Sequence, residues 1–332
     1  MKKRISIVLF IFNILPVFSL DILFTHELPD YAGNIHVKES SYYDTQTMWV
    51  ASEKVALVVE FNLNLISIST RKTQNIAKAE DRGKYENTFI LYNSKHEGEG
   101  LFLARDLSNW DFSNNNSYND FLFDTKTGKQ YRLNDPEDRA EILAAPEEVF
   151  RSFRYSYEGD NYEGFGRKEP FRIYRTDNYT LEKEVIWEAP VQEIFPGITF
   201  NAESHILDIS EDGKNVLVSV GGGDKGSIFV ADFDGTGLSN AREIMYDYVP
   251  DAVFVGNEYA VVPFDRMAVG TEGNGLWRLG IYDFEGNQVA VVEDVWVGDS
   301  INQFDVDEDG NQLVLVGIYK DEVGVYLFDI VR

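Results

Sequence analysis

The chain has 332 residues, a formal charge of −26 and no Cys. That acidity opposes binding to nucleic-acid phosphates or to anionic membrane surfaces, and the missing thiols exclude disulfide staples and a lipidated cysteine. Stability must come from a packed core, and the length suffices for one large core or two small ones.

Lys2, Lys3 and Arg4 precede an apolar run from Ile5 to Phe18 that only Asn13 and Pro16 interrupt. Val17-Phe18-Ser19 follows, small enough at the positions a leader peptidase inspects. The pattern predicts a Sec-type signal peptide over residues 1–19, cleaved after Ser19. A single domain over residues 20–332 would then lie in the periplasm or outside the cell. The run is shorter than the roughly 18 to 20 apolar residues of a spanning helix, which argues against an uncleaved anchor. Loss of three cations with the leader leaves the remainder still more acidic. Such a surface keeps an exported protein soluble, and it also suits a basic protein partner or a cation.

Asp21 to Thr25 is the first strand candidate of the domain. Residues 34–81 carry strands at 48–50, 55–60 and 65–69. Residues 85–133 carry strands at 88–92, 101–104 and 121–123, with a polar loop from Asp106 to Asn119. Asp135 to Glu148 has a helical look: Asp135 or Asn134 can cap, Pro136 suits the first turn, and acidic residues fill it. Residues 149–193 carry strands at 150–157, 171–175 and 185–187, and a Tyr-rich acidic hairpin from Tyr155 to Phe165. Three further units follow, at about 194–246, 247–297 and 298–332.

The last units repeat one phrase. Placing Leu207 on Phe304 aligns Asp208 with Asp305, Asp212 with Asp309, Gly213 with Gly310 and Asp232 with Asp329, at a constant offset of 97. Asp283 is the matching residue of the unit between them, at steps of 51 and 46. Asp124 lies about two periods before Asp232. Runs of Val, Ile, Leu, Phe and Tyr bounded by Asp-Gly and Gly-Asn turns are strands and hairpins, and a period near 50 residues marks a propeller blade. The expected fold is all-β, a propeller of six blades with seven as the alternative. The last unit ends after its third strand, so residues 21–25 are expected to supply its outer strand and close the ring.

With Ile209-Ser210-Glu211-Asp212-Gly213-Lys214-Asn215 and the later Ile228-Phe229-Val230-Ala231-Asp232, the repeat resembles the TolB-like (WD40-like) β-propeller family. That family has a Ser-Pro-Asp-Gly-Lys hairpin after the first strand and an aliphatic strand ending in Asp. Glu211 stands where the family has Pro, and no room is left for the α/β domain that precedes the propeller in TolB itself. The resemblance implies a propeller rather than a TolB role.

Three features invite a chemical reading. Asp305, Asp307 and Asp309 with Gly310 follow the opening of a calcium loop, because a hard cation wants several carboxylate oxygens on a sharply turned backbone. The twelfth position is Val316, so the closing acidic ligand is missing, and Ser210 replaces the middle Asp in the earlier copy. A hairpin rich in Asp is the preferred reading. Gly221 to Gly226 has the glycine pattern of a dinucleotide site, but another strand follows in place of a helix, so a hairpin is expected there too. His26, His36, His96 and His205 lack metal-ligand spacing, and no nucleophile elbow is present. Trp49, Trp110, Trp187, Trp277 and Trp296 could line a ligand face but are expected to pack between blades. The resulting expectation is a monomeric, non-enzymatic exported scaffold that binds a protein in the cell envelope. It needs no cofactor and acts through its rim loops. The alternative is an enzyme or carbohydrate-binding propeller with an acidic, calcium-bearing central pocket.

Overall fold

The computed structural model describes residues 20–27, 45–59, 62–70, 72–78, 89–92, 100–106, 119–146, 153–158, 171–177, 179–195, 203–222, 225–246, 251–268, 275–298 and 302–331. Residues 1–19, expected to be a leader, lie outside this set. So do most of the Asp106–Asn119 loop and of the Tyr155–Phe165 hairpin.

The described chain forms six antiparallel sheets in a propeller arrangement. The first strand, β1 (Asp21–Glu27), joins sheet six, and sheet one takes β2 (Gln46–Ala51), β3 (Lys54–Val59), β4 (Asn62–Ser67) and β5 (Lys72–Lys78). Sheet two takes β6 (Phe89–Tyr92), β7 (Leu101–Asp106), β8 (Asn119–Asp124) and β9 (Gln130–Arg132). Sheet three has three described strands, β10 (Phe153–Glu158), β11 (Phe171–Asp177) and β12 (Lys183–Ala189). Sheet four is β13 (Glu203–Ile209), β14 (Asn215–Gly222), β15 (Lys225–Phe233) and β16 (Leu238–Met245). Sheet five is β17 (Val253–Val255), β18 (Tyr259–Ala268), β19 (Gly275–Asp283) and β20 (Gln288–Val291). Sheet six joins β23 (Gln312–Tyr319) and β24 (Glu322–Val331) to two short inner segments, β21 (Val295–Trp296) and β22 (Phe304–Val306).

The alternation of side chains along each strand explains why the strands read as continuous apolar runs. In β3, Val55, Leu57 and Val59 pack against Val314, Val316, Val325 and Leu327 of sheet six. The intervening Ala56 and Val58 pack against Phe102, Ala104, Phe121 and Phe123 of sheet two. Likewise Val216, Val218 and Val220 of β14 join Ile173 and Trp187 of sheet three, whereas Leu217 joins the sheet-five residues Val253, Val261 and Leu279. Leu313, Leu315, Tyr326 and Phe328 of sheet six share that last cluster. Sheets one and four thus give one face to each neighbour. A fully buried Val or Leu contributes about 1.5 to 3 kcal/mol, so these faces dominate the stability.

Turns follow the same economy. Asp124, Asp177, Asp234 and Asp283 each stand at the turn into a sheet's outer strand, and each accepts two or more backbone N–H groups of that turn. In sheet four this turn is held by Asp234, not by the repeat residue Asp232, whose carboxylate instead takes Asn240 and Arg242. Gly237 completes the turn because Trp187 lies where a Cβ would stand, 2.5 Å from the nearest ring atom. Pro263 is tolerated inside β18 because β17 pairs only with Tyr259, Ala260 and Val261, so no ladder bond is lost.

The expected helix forms as α1 (Pro136–Ala144), with Asp135 accepting from the amides of Glu137 and Asp138. It buries Ile142 against Leu101, Leu103 and Leu122 of sheet two. Arg139 donates to the Tyr179 carbonyl and the Tyr179 hydroxyl to that of Leu143, tying the helix to sheet three. Among the described residues no helix is long and apolar enough to cross a membrane.

Strand β1 pairs antiparallel with β24, the last strand, from Asp21 against Val331 to Glu27 against Tyr326. Leu20 is buried in the core that sheets four to six share, and Ile22 packs against it. A chain beginning at Pro29 is therefore expected to melt roughly 5 to 10 °C below one beginning at Leu20, the loss of a few kcal/mol in a domain of this size. Equal melting temperatures by calorimetry would show that β1 adds nothing to sheet six.

Candidate functional site

Among the described residues, a set of enclosed carboxylates lies where the inner strands of neighbouring sheets meet. Asp208 of β13 accepts from its own neighbour Ile209 N–H with Oδ1 and from Phe254 N–H of sheet five with Oδ2, at 2.7 and 2.8 Å. Asp305, its partner at the 97-residue offset, does the same: Oδ1 accepts from Val306 and Oδ2 from Trp49 of sheet one, at 2.9 and 2.7 Å. Asp251, just ahead of β17, accepts from Ala252 and from Asn302 at the entry to sheet six, at 2.9 and 2.7 Å. Three carboxylates thus bridge sheet four to five, five to six, and six to one.

Amides continue the network. The Asn302 carbonyl accepts from Thr47 N–H of sheet one. Its side-chain amide donates to the Leu91 carbonyl of sheet two, 2.9 Å away. Gln46 meets the same strand from sheet one, donating to the Phe89 carbonyl and accepting from Leu91 N–H, both at 3.0 Å. Each of these bonds gives a backbone group on an inner strand, or beside one, a polar partner.

The cost is electrostatic. Burial first, with a smaller push from the Asp208 charge, takes the Asp251 carboxyl up to about 7, against the two amides that favour its charge. Asp305 is enclosed at its carboxyl end and is held well above the usual carboxylate range, by burial first and then by Asp208.

The residues singled out in the sequence are placed differently from a metal loop. Asp305 points to the inter-sheet bridge. Asp307 closes the β22–β23 hairpin, accepting from Asn311 and Gln312 N–H at 2.7 Å each. Asp309 is exposed. Ser210 does in sheet four what Asp307 does in sheet six, its hydroxyl accepting from Asn215 N–H. Gly213 and Gly310 supply the positive φ of the two turns, at 69° and 68°. Among the described residues no three acidic or histidine side chains converge in a metal-holding group. The glycine run falls in the β14–β15 hairpin, where Gly221 faces Gly226 and Gly222 faces Lys225. Trp49, Trp187, Trp277 and Trp296 all pack within the apolar clusters, while Trp110, His36 and His96 lie outside the described residues. Sequence reasoning missed the bridging role of Asp208, Asp251, Asp305, Gln46 and Asn302. The signal available was the alignment of Asp208 with Asp305 inside strands rather than in turns.

Two observations decide the fold: sheets packed face to face, and inner strands bridged in sequence. The arrangement is a β-propeller. No protein-family model and no curated protein matches the chain. Solved structures similar to it include TolB-like and other propeller proteins. An oligogalacturonate lyase from Vibrio parahaemolyticus aligns with TM-score 0.45 and 11% identity over 94% of this chain and 97% of its own. A TolB-like protein from Agrobacterium tumefaciens aligns with TM-score 0.43 and 13% identity over 95% and 98%. The Dos1 propeller aligns with TM-score 0.43 and 12% identity over 87% and 92%.

The bridges predict an acid-shifted stability optimum. Asp251 is raised above its free value of 3.8 to about 7, so between those pH values the folded chain holds a proton that the unfolded chain has released. Its stabilisation is complete below about pH 4 and is lost as pH rises through 7, on the order of 4 kcal/mol at most. Asp212, lowered mainly by the Lys214 side chain, and Asp234, lowered mainly by the Thr236 hydroxyl, work in the opposite sense and lose their stabilisation under strong acid. Melting temperature should rise by several degrees from pH 8 to pH 5.5, and the rise should shrink in Asp251→Asn and Asp305→Asn. An undiminished rise in both variants would assign it to the general surface charge instead.

Proposed function

We propose that the chain is an exported, closed six-bladed propeller acting as a non-enzymatic protein-interaction scaffold in the cell envelope. One observation carries the ring: the bridge from Asp305 to Trp49 repeats, between the last sheet and the first, the bridge from Asp208 to Phe254 inside the series. The pairing of β1 with β24 supports the same closure. The apparent leader supports export, and the acidic surface supports a partner that carries basic side chains.

The inner-strand carboxylates also bear on the kind of function. Each is occupied by two backbone amides, which suits a structural axis rather than acid–base catalysis, where an oxygen must be free to meet a substrate proton. The working surface is then the rim, where loops escape the packing constraint.

A second reading keeps one observation in its favour. Asp251 and Asp305 are enclosed and raised in part by the charge of Asp208, and a field of that sign favours a cation, so an acidic central pocket bearing calcium is the alternative. Crosslinking in the native envelope followed by affinity capture should recover a specific protein, and melts in calcium and in chelator should coincide. A calcium-dependent rise of several degrees with no captured protein would reverse the order of the two readings.

A further inference from the structure

Sheets four and six align at the 97-residue offset, but their inner strands differ. In sheet four one strand, β13, follows β14 from Ile209 to Glu203. In sheet six two segments share the matching edge of β23: β22 faces Leu313 to Leu315, and β21 faces Ile318 and Tyr319. Gly317 makes the second contact possible. It stands where sheet four has Val220, and a Cβ there would lie 2.6 Å from the Trp296 carbonyl oxygen. Gln303 holds the other side of the break. It is fully buried; its side-chain oxygen accepts from Gly298 N–H and its carbonyl from Val316 N–H, at 2.5 and 2.7 Å.

The break frees Asn302 from the ladder. Its counterpart in sheet four, His205, is in register with Ser219 inside β13. Asn302 instead turns at a φ of 56°, the left-handed region that Asn tolerates better than most residues with a side chain. From there it reaches three other sheets. Its N–H donates to Asp251 of sheet five, its carbonyl accepts from Thr47 N–H of sheet one, and its amide donates to the Leu91 carbonyl of sheet two, at 2.7, 2.6 and 2.9 Å. Asp251 leads into β17, Thr47 lies in β2 and Leu91 in β6, the first strand of each sheet. A residue bonded to all three lies on the axis side of the inner strands.

We propose that the split inner strand of sheet six is a clasp, with Asn302 as its pin, that makes sheets five, six, one and two open as one unit. The proposal rests on the closed-ring reading, because the joint it secures is the one between the last sheet and the first. Strand β1 holds sheet six at the rim by pairing with β24, and Asn302 holds the joint at the axis. A ligand entering the axis at this level has to displace Asn302.

Native-state hydrogen exchange on the full chain, in increasing urea, tests the clasp. The N–H groups of Thr47, Leu91 and Asn302 should exchange through a single opening with one urea dependence. Asn302→Gly keeps the left-handed backbone and removes only the side-chain amide. It should speed exchange about tenfold or more at Thr47, Leu91 and Ala252, and leave Val218 of sheet four unchanged. Gln46→Ala, which cuts the neighbouring tie between sheets one and two, should speed Leu91 and leave Ala252 unchanged. Separate openings of the three groups in the parent chain would overturn the clasp, and that measurement decides even where a variant does not fold. An effect of Asn302→Gly confined to its own neighbours in sequence would overturn it too. Unprotected exchange at Trp49, whose N–H meets Asp305 across the same joint, would instead overturn the closed-ring reading.

Discussion

A β-sheet that is apolar on both faces cannot stand alone, and the rest of this molecule follows from that constraint. Val216 and Leu217 are adjacent residues of one strand, yet they belong to the cores of different sheet pairs. The same holds for Val55 and Ala56, and for Val314 and Leu315. Each such sheet needs a cover on both faces. The core clusters run from sheet three through four, five and six to one and two in this way. Helix α1 then covers the outer face of sheet two and reaches Tyr179 of sheet three.

Much of this was legible because repetition is a sequence property. The 97-residue offset locates sheets four and six almost strand for strand, and the turn chemistry of Asp124 marks sheet two. Sheet three was harder to read. Its turn residue, Asp177, serves as Asp124 and Asp283 do, but Leu181 stands four residues after it, at positive φ, where the other two turns have Gly128 and Asn287, so the composition of the turn is partly hidden. Of the inner-strand network only the alignment of Asp208 with Asp305 left a trace in the sequence; their partners did not. Asp208 meets an amide 46 residues away and Asp305 one that is 256 residues away, and no local pattern encodes either meeting. Contiguity misleads as well: Asp305, Asp307 and Asp309 look like one constellation, but strand alternation and the turn send them to a bridge, a hairpin and solvent.

The two levels of polar chemistry divide the labour. Turn aspartates sit in water, where a misplaced charge costs little and the side chain only needs to mimic a backbone carbonyl. Bridging aspartates sit between sheets, where apolar packing fixes distance but not register. Face-to-face contact between aliphatic surfaces is non-directional and tolerates sliding. A pair of hydrogen bonds of 2.7 and 2.8 Å from one carboxylate to two strands does not.

The choice of side chain at these positions follows from what must be satisfied. Asp208, Asp251 and Asp305 each accept from two N–H groups, and a carboxylate is the short side chain that offers two acceptor oxygens and no competing donor. An Asn there would turn its amide toward one of the two N–H groups and leave that donor unpaired. Gln46 faces one carbonyl and one N–H, on Phe89 and Leu91, and an amide is then the matching group. Asn302 likewise needs a donor for the Leu91 carbonyl. The carboxylates accept a buried charge as the consequence, and the raised Asp251 and Asp305 show its size. On a chain of −26 that charge adds to an already repulsive field, so the geometry that fixes the register of the sheets also makes their union sensitive to pH.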